Sequence, residues 1–207
     1  RLDPNTGIGD PTPAFTYCLN LAEVEVDTKT GKTTVLKFTC VDFVGRIGNI
    51  DAVNGQAYSG IMHGIGFALK EDYADVKKHA NMFGAGTSYI KDVPDDIDLI
   101  HIDGAISDGP FGSSGASEAF QASGHCAVLN GIYNACGVRI HEIPALPEKV
   151  KAGLDAIEKG EKPYEPKKYF LGSDMYEELE NIKENPVQVG TQSFYVSLDD
   201  PTAERPF

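Results

Sequence analysis

Gly109-Pro110-Phe111-Gly112-Ser113-Ser114-Gly115-Ala116-Ser117-Glu118 is a glycine- and serine-rich loop that runs straight into an apolar helical pattern. Phe120, Val128, Ile132 and Cys136 lie four or eight apart, with Gly124 in the gap, and so predict one helix with one buried face. Ser117 is the expected N-cap and Gly137 the expected stop. Glu118 then falls in the first turn, at the end of the loop. Backbone N–H groups of a loop and a helix start receive an anion or an oxo group, and here one carboxylate stands among them. The plain alternative is that Glu118 only complements the helix dipole, and taken alone that reading outweighs catalysis.

The rest of the chain bounds what such a loop serves. Its 207 residues are 41% hydrophobic, enough for one sizeable core or two small ones. Eighteen lysines and arginines against 31 aspartates and glutamates give a net charge of -13, which a phosphate backbone would repel, so nucleic acid is an unexpected partner. No run is long and apolar enough to span a membrane, and the first residues do not read as a signal peptide. The sequence opens on Arg1, so a processed product or a piece of something longer is expected.

Cys18, Cys40, Cys126 and Cys136 form no Cys-x-x-Cys pair, which leaves no zinc or iron–sulfur site of the usual spacing. They read as small buried thiols in a reducing compartment, hence a cytoplasmic protein. His125 and Cys126 are not a nucleophile–base pair, because helix neighbours point about 100° apart.

Upstream, residues 1–13 read as an irregular lead-in. Residues 14–26 and 33–44 are rich in aromatic and branched side chains, and Asp27-Thr28-Lys29-Thr30-Gly31-Lys32 between them makes a β-hairpin. The alternation slips between Leu21 and Val24, which predicts a bulge or a strand buried on both faces. Asp51 caps an expected helix to about Tyr73, with Val53, Ala57, Ile61, Ile65 and Leu69 on one stripe and Tyr58 and Met62 widening it. Gly60, Gly64 and Gly66 each cost that helix about 1 kcal/mol relative to alanine. Either a ligand or a closely packed backbone repays this, and the sequence leaves both open.

Gly84 and Gly86 suit a phosphate cradle only weakly, since no Gly-x-Gly-x-x-Gly follows. Asp92 to Asp98 reads as a solvated loop, Leu99 to Ile102 as a short strand, and Val138 to Ile143 as another. Pro147 opens a helix with Val150, Leu154 and Ile157 inward and Gly160 closing it. From Glu161 the composition turns to lysine, glutamate and proline. A short helix from Ser173 to Glu184 and a strand from Ser193 to Leu198 are expected there. This gives a body over residues 1–160 and an extension over 161–207 that wraps it. The fold class is α+β: a β-hairpin and short strands packed with two long glycine-containing helices.

The order of these pieces is more specific than any one of them. After a hairpin ending Val41-Asp42-Phe43-Val44-Gly45 come residues 55–66, Gly-Gln-Ala-Tyr-Ser-Gly-Ile-Met-His-Gly-Ile-Gly. Tyr89-Ile90-Lys91-Asp92-Val93-Pro94 and Gly115-Ala116-Ser117-Glu118 follow, then Asn130-Gly131-Ile132-Tyr133-Asn134-Ala135 and Ile143-Pro144-Ala145-Leu146-Pro147-Glu148-Lys149-Val150. Over residues 14–158 this series resembles the C-terminal part of the molybdopterin-binding subunit of the molybdenum hydroxylases, the xanthine dehydrogenase and aldehyde oxidoreductase family. Its flavour is closer to the aldehyde enzymes.

The resemblance implies a molybdenum-dependent oxidoreductase that hydroxylates aldehydes to carboxylic acids, or N-heterocycles. Glu118 aligns with the glutamate beside molybdenum that serves as general base. Gly115, Ala116 and Ser117 would pack their backbone against the metal's ligands. His63 and Gly64 match a cofactor-touching segment that usually reads Gln-Gly, so His63 is a departure. The implied cofactor is molybdopterin with molybdenum, bare or as the cytosine dinucleotide, and electrons would leave to [2Fe-2S] clusters on another domain or subunit. Because the family's subunit is several times longer, the chain is expected to be a C-terminal portion or one subunit of a split enzyme, not competent alone. Its partners would be the rest of that subunit, the iron–sulfur part and a small aldehyde or heterocycle.

Two other readings compete. In one the loop only binds an anion or packs against a partner within a larger complex. In the other Ser113, Ser114 or Ser117 is a hydrolase nucleophile, which the spacing disfavours because Gly112 and Gly115 are one residue too close for Gly-x-Ser-x-Gly.

Overall fold

The hairpin around Gly31 is the scaffold of the computed structural model, which describes residues 3, 5–9, 14–75, 77–106, 108–161, 180, 181 and 184. Strand β1 (Tyr17–Val26) pairs antiparallel with β2 (Thr33–Phe43), and β3 (Asp96–His101) joins β2 in parallel, giving the order β1-β2-β3. Gly31 has φ +77, and a Cβ there would collide with the carbonyl oxygen of Pro147, so both its turn and its neighbour require glycine. The phase slip is a bulge: Glu23 faces Lys37 and Val24 faces Val35, which leaves Leu36 over. β3 begins inside the stretch expected to be a solvated acidic loop. Asp96 and Asp98 belong to the strand, where Lys37 bridges both at 3.3 and 2.8 Å.

One face of the sheet carries the core. Val35, Phe38 and Cys40 of β2 pack on helix α1 (Ile50–Leu69), whose Ala57, Ile61 and Ile65 are buried as the stripe predicted. Tyr58, expected to widen it, is exposed. The cap is Asn49, not Asp51; its side chain accepts the Ala52 N–H at 2.9 Å. The helix ends at Leu69, four residues short of expectation, where its apolar stripe runs out. Asn81 caps the short helix α2 (Met82–Ala85) by accepting the Gly84 N–H, and Gly86 closes it at φ +79. Those two glycines are therefore cap positions, and no phosphate cradle forms.

The second long helix is interrupted. It divides into α3 (Glu118–Ala122) and α4 (Gly124–Cys136), with Ser123 between them at φ -115, ψ -1. Gly137 ends α4 at φ +78, as expected. Pro147 starts α5 (Pro147–Glu158), which buries Val150 while Ile157 stands exposed. Val138 to Ile143 is not a strand: among the described residues no strand pairs with it, and Val138 instead seats against Gly153 of α5. Ile132, Val138, Ala145 and Val150 form a second, smaller core.

Backbone approach accounts for Gly60 and Gly64 of α1, while Gly66 makes room for the side chains of Glu71 and Ser88. A Cβ on Gly60 would stand 2.6 Å from Cβ of Phe120, and one on Gly64 3.0 Å from Cα of Gly124. Two glycines thus let α1 lie directly on the α3–α4 junction.

All four cysteines are free thiols. Cys40 is buried with its Sγ 3.5 Å from that of Cys18, but Cys126 is exposed, contrary to the expectation of four buried thiols.

The chain divides into two compact units, Arg1–Tyr164 and Glu165–Phe207. In the second, residues 180, 181 and 184 are described and are helical. The rest of the expected Ser173–Glu184 helix, the Ser193–Leu198 strand and the wrapping of the extension lie outside the described residues. No helix among the described residues is long and apolar enough to cross a membrane.

Candidate functional site

The loop before Glu118 is pinned along its length. Gly45 and Ser113 form a bridge, Arg46 N–H donates to the Gly112 carbonyl at 2.8 Å, and Ser114 N–H donates to that of Val44 at 2.9 Å. The hydroxyls are committed too. Ser113 Oγ donates to the Arg46 carbonyl at 2.5 Å. Ser114 Oγ lies 2.7 Å from Thr16 Oγ1, which itself donates to the Gly115 carbonyl at 2.5 Å. Held this way, neither serine is oriented by a histidine among the described residues, and a serine nucleophile finds no support.

Past Ser114 the backbone opens. A Cβ built on Gly115 meets nothing within 4 Å. Among the described residues, the N–H groups of Gly115, Ala116 and Ser117 have no backbone acceptor. Ala116 is half-buried against the main core, which anchors the lip, while Ser117 and Glu118 are exposed. Ser117 occupies the cap position, yet its side chain makes no cap bond. Open N–H groups beside a free carboxylate suit an oxygen-rich ligand such as an oxo-metal pterin.

Helix α3 is fixed from two sides. Phe120 is fully buried on Gly60, and Asn20 of β1 donates to the Phe120 carbonyl at 3.3 Å and to Ser123 Oγ at 2.9 Å. The direction of Glu118 is therefore set by α1 and β1 together. His63 and Gly64 sit on the same stretch of α1. Gly64 is buried against Gly124, and His63 is half-buried with its ring tilted 6.4 Å from that of Phe67. The structure thus brings the two sequence-flagged segments onto adjoining helices.

A cleft of about 720 Å³ is lined by residues such as Lys32, Ile65, Lys70 and Pro94 and includes none of residues 113–118. The described residues supply an open lip and an exposed carboxylate. No group of three or more His, Cys, Asp or Glu side chains among the described residues is placed to hold a metal ion.

Sequence reasoning passed over one buried polar group. Asp42, 1% exposed, sets Oδ2 2.6 Å from His101 Nδ1, and His101 Nε2 lies 2.7 Å from Asn54 Oδ1. These residues are 59 and 47 positions apart. The available signal was an acid at an inward position of β2, two residues after buried Cys40. The triad ties the ends of β2 and β3 to the start of α1.

Burial pushes the Asp42 carboxyl above the usual carboxylate range, and the hydrogen bond and charge of His101 pull it partly back. Its contribution to stability is therefore complete below the ordinary aspartate value of about 4 and is lost as pH rises through the raised folded value. Urea midpoints of the wild type and Asp42→Asn from about pH 4 upward are expected to show the wild-type advantage shrinking with pH. An advantage that stays constant with pH would refute this.

Residues 1–94 match the family model described as the molybdopterin cofactor-binding domain. An aldehyde oxidoreductase from Megalodesulfovibrio gigas is 46% identical over 154 residues, which are 74% of this chain and 17% of that protein. A probable hypoxanthine oxidase from Escherichia coli K12 is 30% identical over 151 residues, 71% of this chain and 16% of that protein. The crystal structure of the aldehyde oxidoreductase from Desulfovibrio desulfuricans matches with a TM-score of 0.66 at 49% identity, covering 70% of this chain and 16% of that one. The chain thus spans 16–17% of the length of these relatives.

Proposed function

Because this chain belongs to the molybdopterin-binding subunit of the molybdenum hydroxylase family, we propose that it forms part of the cofactor-facing wall of a molybdenum-dependent oxidoreductase that converts aldehydes to carboxylic acids. The observation that carries this reading is the open lip of Gly115, Ala116 and Ser117 leading into exposed Glu118 on a rigidly seated helix. The 46% identity to an aldehyde oxidoreductase, against 30% to a probable hypoxanthine oxidase, supports aldehydes over N-heterocycles.

In this proposal the N–H groups of Gly115, Ala116 and Ser117 would hold the cofactor, with His63 as a second contact from α1, while Gly64 behind it serves the packing on Gly124. When bound, the molybdopterin centre supplies the two-electron oxidation of the substrate carbon, and [2Fe-2S] clusters on another domain or subunit receive the electrons. Glu118, as the carboxylate, accepts the proton released in hydroxylation. Water is excluded by closure of the site by the rest of the subunit, since the described residues leave the lip open.

Molybdenum content measured together with native mass on gently purified protein tests the reading. Near-stoichiometric molybdenum in an assembly larger than this chain is the expected result. A folded monomer that takes up no molybdenum even when combined with the rest of the subunit would overturn it, and would leave an anion-binding or assembly module.

A further inference from the structure

The sheet has two faces, and one is uncovered. On the outer face Tyr17 is 66% exposed, Leu19 59%, Leu21 52% and Ile100 49%. The register sets them in rows: Tyr17 opposite Phe43 with rings 6.4 Å apart, then Leu19, Val41 and Ile100, then Leu21 beside Thr39 and Asp98. The next row is charged, with Glu23 opposite Lys37 and Lys37 paired to Asp96. A sheet with one solvated face alternates apolar-in with polar-out. Here the outward set is apolar in the Tyr17 and Leu19 rows, mixed in the Leu21 row, where Thr39 and Asp98 are polar, and charged at the Lys37 row, with Lys37 2.8 Å from Asp98. An apolar patch with a polar rim marks a contact surface.

We infer that the apolar end of this face is the seat of the part of the molybdopterin-binding subunit that lies outside these 207 residues. This rests on the proposed function. What identifies the occupant is length. The chain accounts for 17% of the relative it matches at 46% identity, so the body it joins is several times larger than itself. The proposed lip is also open at Gly115, where a Cβ meets nothing within 4 Å among the described residues, and that same body would cover it. Asn20 of β1 holds the α3 backbone on the other side of the sheet, at the Phe120 carbonyl and Ser123. A body seated on Leu19 and Leu21 is therefore two strand faces away from the helix that carries Glu118, and it fixes that helix through β1.

Hydroxyl-radical footprinting of the intact, full-length subunit tests this, with molybdenum measured on the same sample. Tyr17, Leu19 and Ile100 are expected to be labelled several-fold less than Met82 and Phe83, which are exposed at 72% and 84%. Labelling of the three at the level of Met82 with molybdenum present overturns the inference and leaves the proposed function standing. Absence of molybdenum counts against the proposed function, independently of the labelling. The occupant is identified by Leu19→p-benzoylphenylalanine in the full-length subunit. Photo-crosslinks to residues outside positions 1–207 support the assignment. Crosslinks to positions 162–207 or to a second copy overturn it. Should that variant fail to fold, the same probe at Tyr17, an already aromatic position, gives the same readout.

Discussion

Glu118→Gln in the assembled enzyme is expected to lose about 10²–10⁴-fold in turnover while keeping its molybdenum, the range that a positioned general base contributes. Glutamine keeps the size and hydrogen-bonding capacity of the side chain but does not accept the proton. The side chain is exposed at the start of α3, so its replacement opens no cavity. As a partner of the helix dipole alone it is worth about 0.3–1 kcal/mol. Asp51, in the first turn of α1, is an acid of that kind, and Asp51→Asn supplies the scale for a purely dipolar effect. A base acting only in the reaction lowers kcat and kcat/KM together. If Glu118→Gln instead matches Asp51→Asn, with molybdenum retained and turnover intact, Glu118 is a dipole partner and the proposed role fails.

Phe120→Ala is expected to cost about 3–5 kcal/mol in urea unfolding, as buried phenylalanines do. The ring is fully buried with Phe38, Ile61 and Val128, and it is the anchor of a helix only five residues long. Gly60 of α1 leaves no slack beside it, since even a Cβ there would come within 2.8 Å of the Phe120 backbone. Phe120→Leu fills more of the same space and should lose less. The urea midpoint should fall with little change in slope. A loss within the ±0.5 kcal/mol of ordinary surface substitutions would show that α3 is not seated by this ring. In the loaded enzyme the same variant should lose turnover beyond its loss of stability, because Glu118 stands two residues upstream.

Several features could be read directly from the residues. Gly31 in a polar turn between two apolar runs announced the hairpin, and the slip near Val24 announced its bulge. The stripe from Val53 to Leu69 announced α1. Its glycines announced a close neighbour but not which one, because ligand and backbone make the same demand for space. The break at Ser123 was hidden for a physical reason: Phe120 and Val128, on either side of it, are buried in the same core, so the apolar spacing runs through it. Val138 to Ile143 misled because alternation describes a half-buried segment whether or not a second strand runs beside it. Glu118 was legible as a first-turn acid. Asp42, His101 and Asn54 were not legible as a group, since only the folded sheet brings them together.

A continuous helix from Glu118 to Cys136 would have made the aim of the acid hostage to eighteen residues behind it, each turning it by about 100°. Restarting at Gly124 cuts that linkage. Asn130 and Tyr133, on the exposed side of α4, can then hold Arg139, by a hydrogen bond at 2.9 Å and a guanidinium over the ring at 3.7 Å, without turning the acid. Meanwhile the carboxylate keeps the bearing that Gly60, Phe120 and Asn20 give it. Chemistry and outer surface can then diverge at different rates within one stretch of chain.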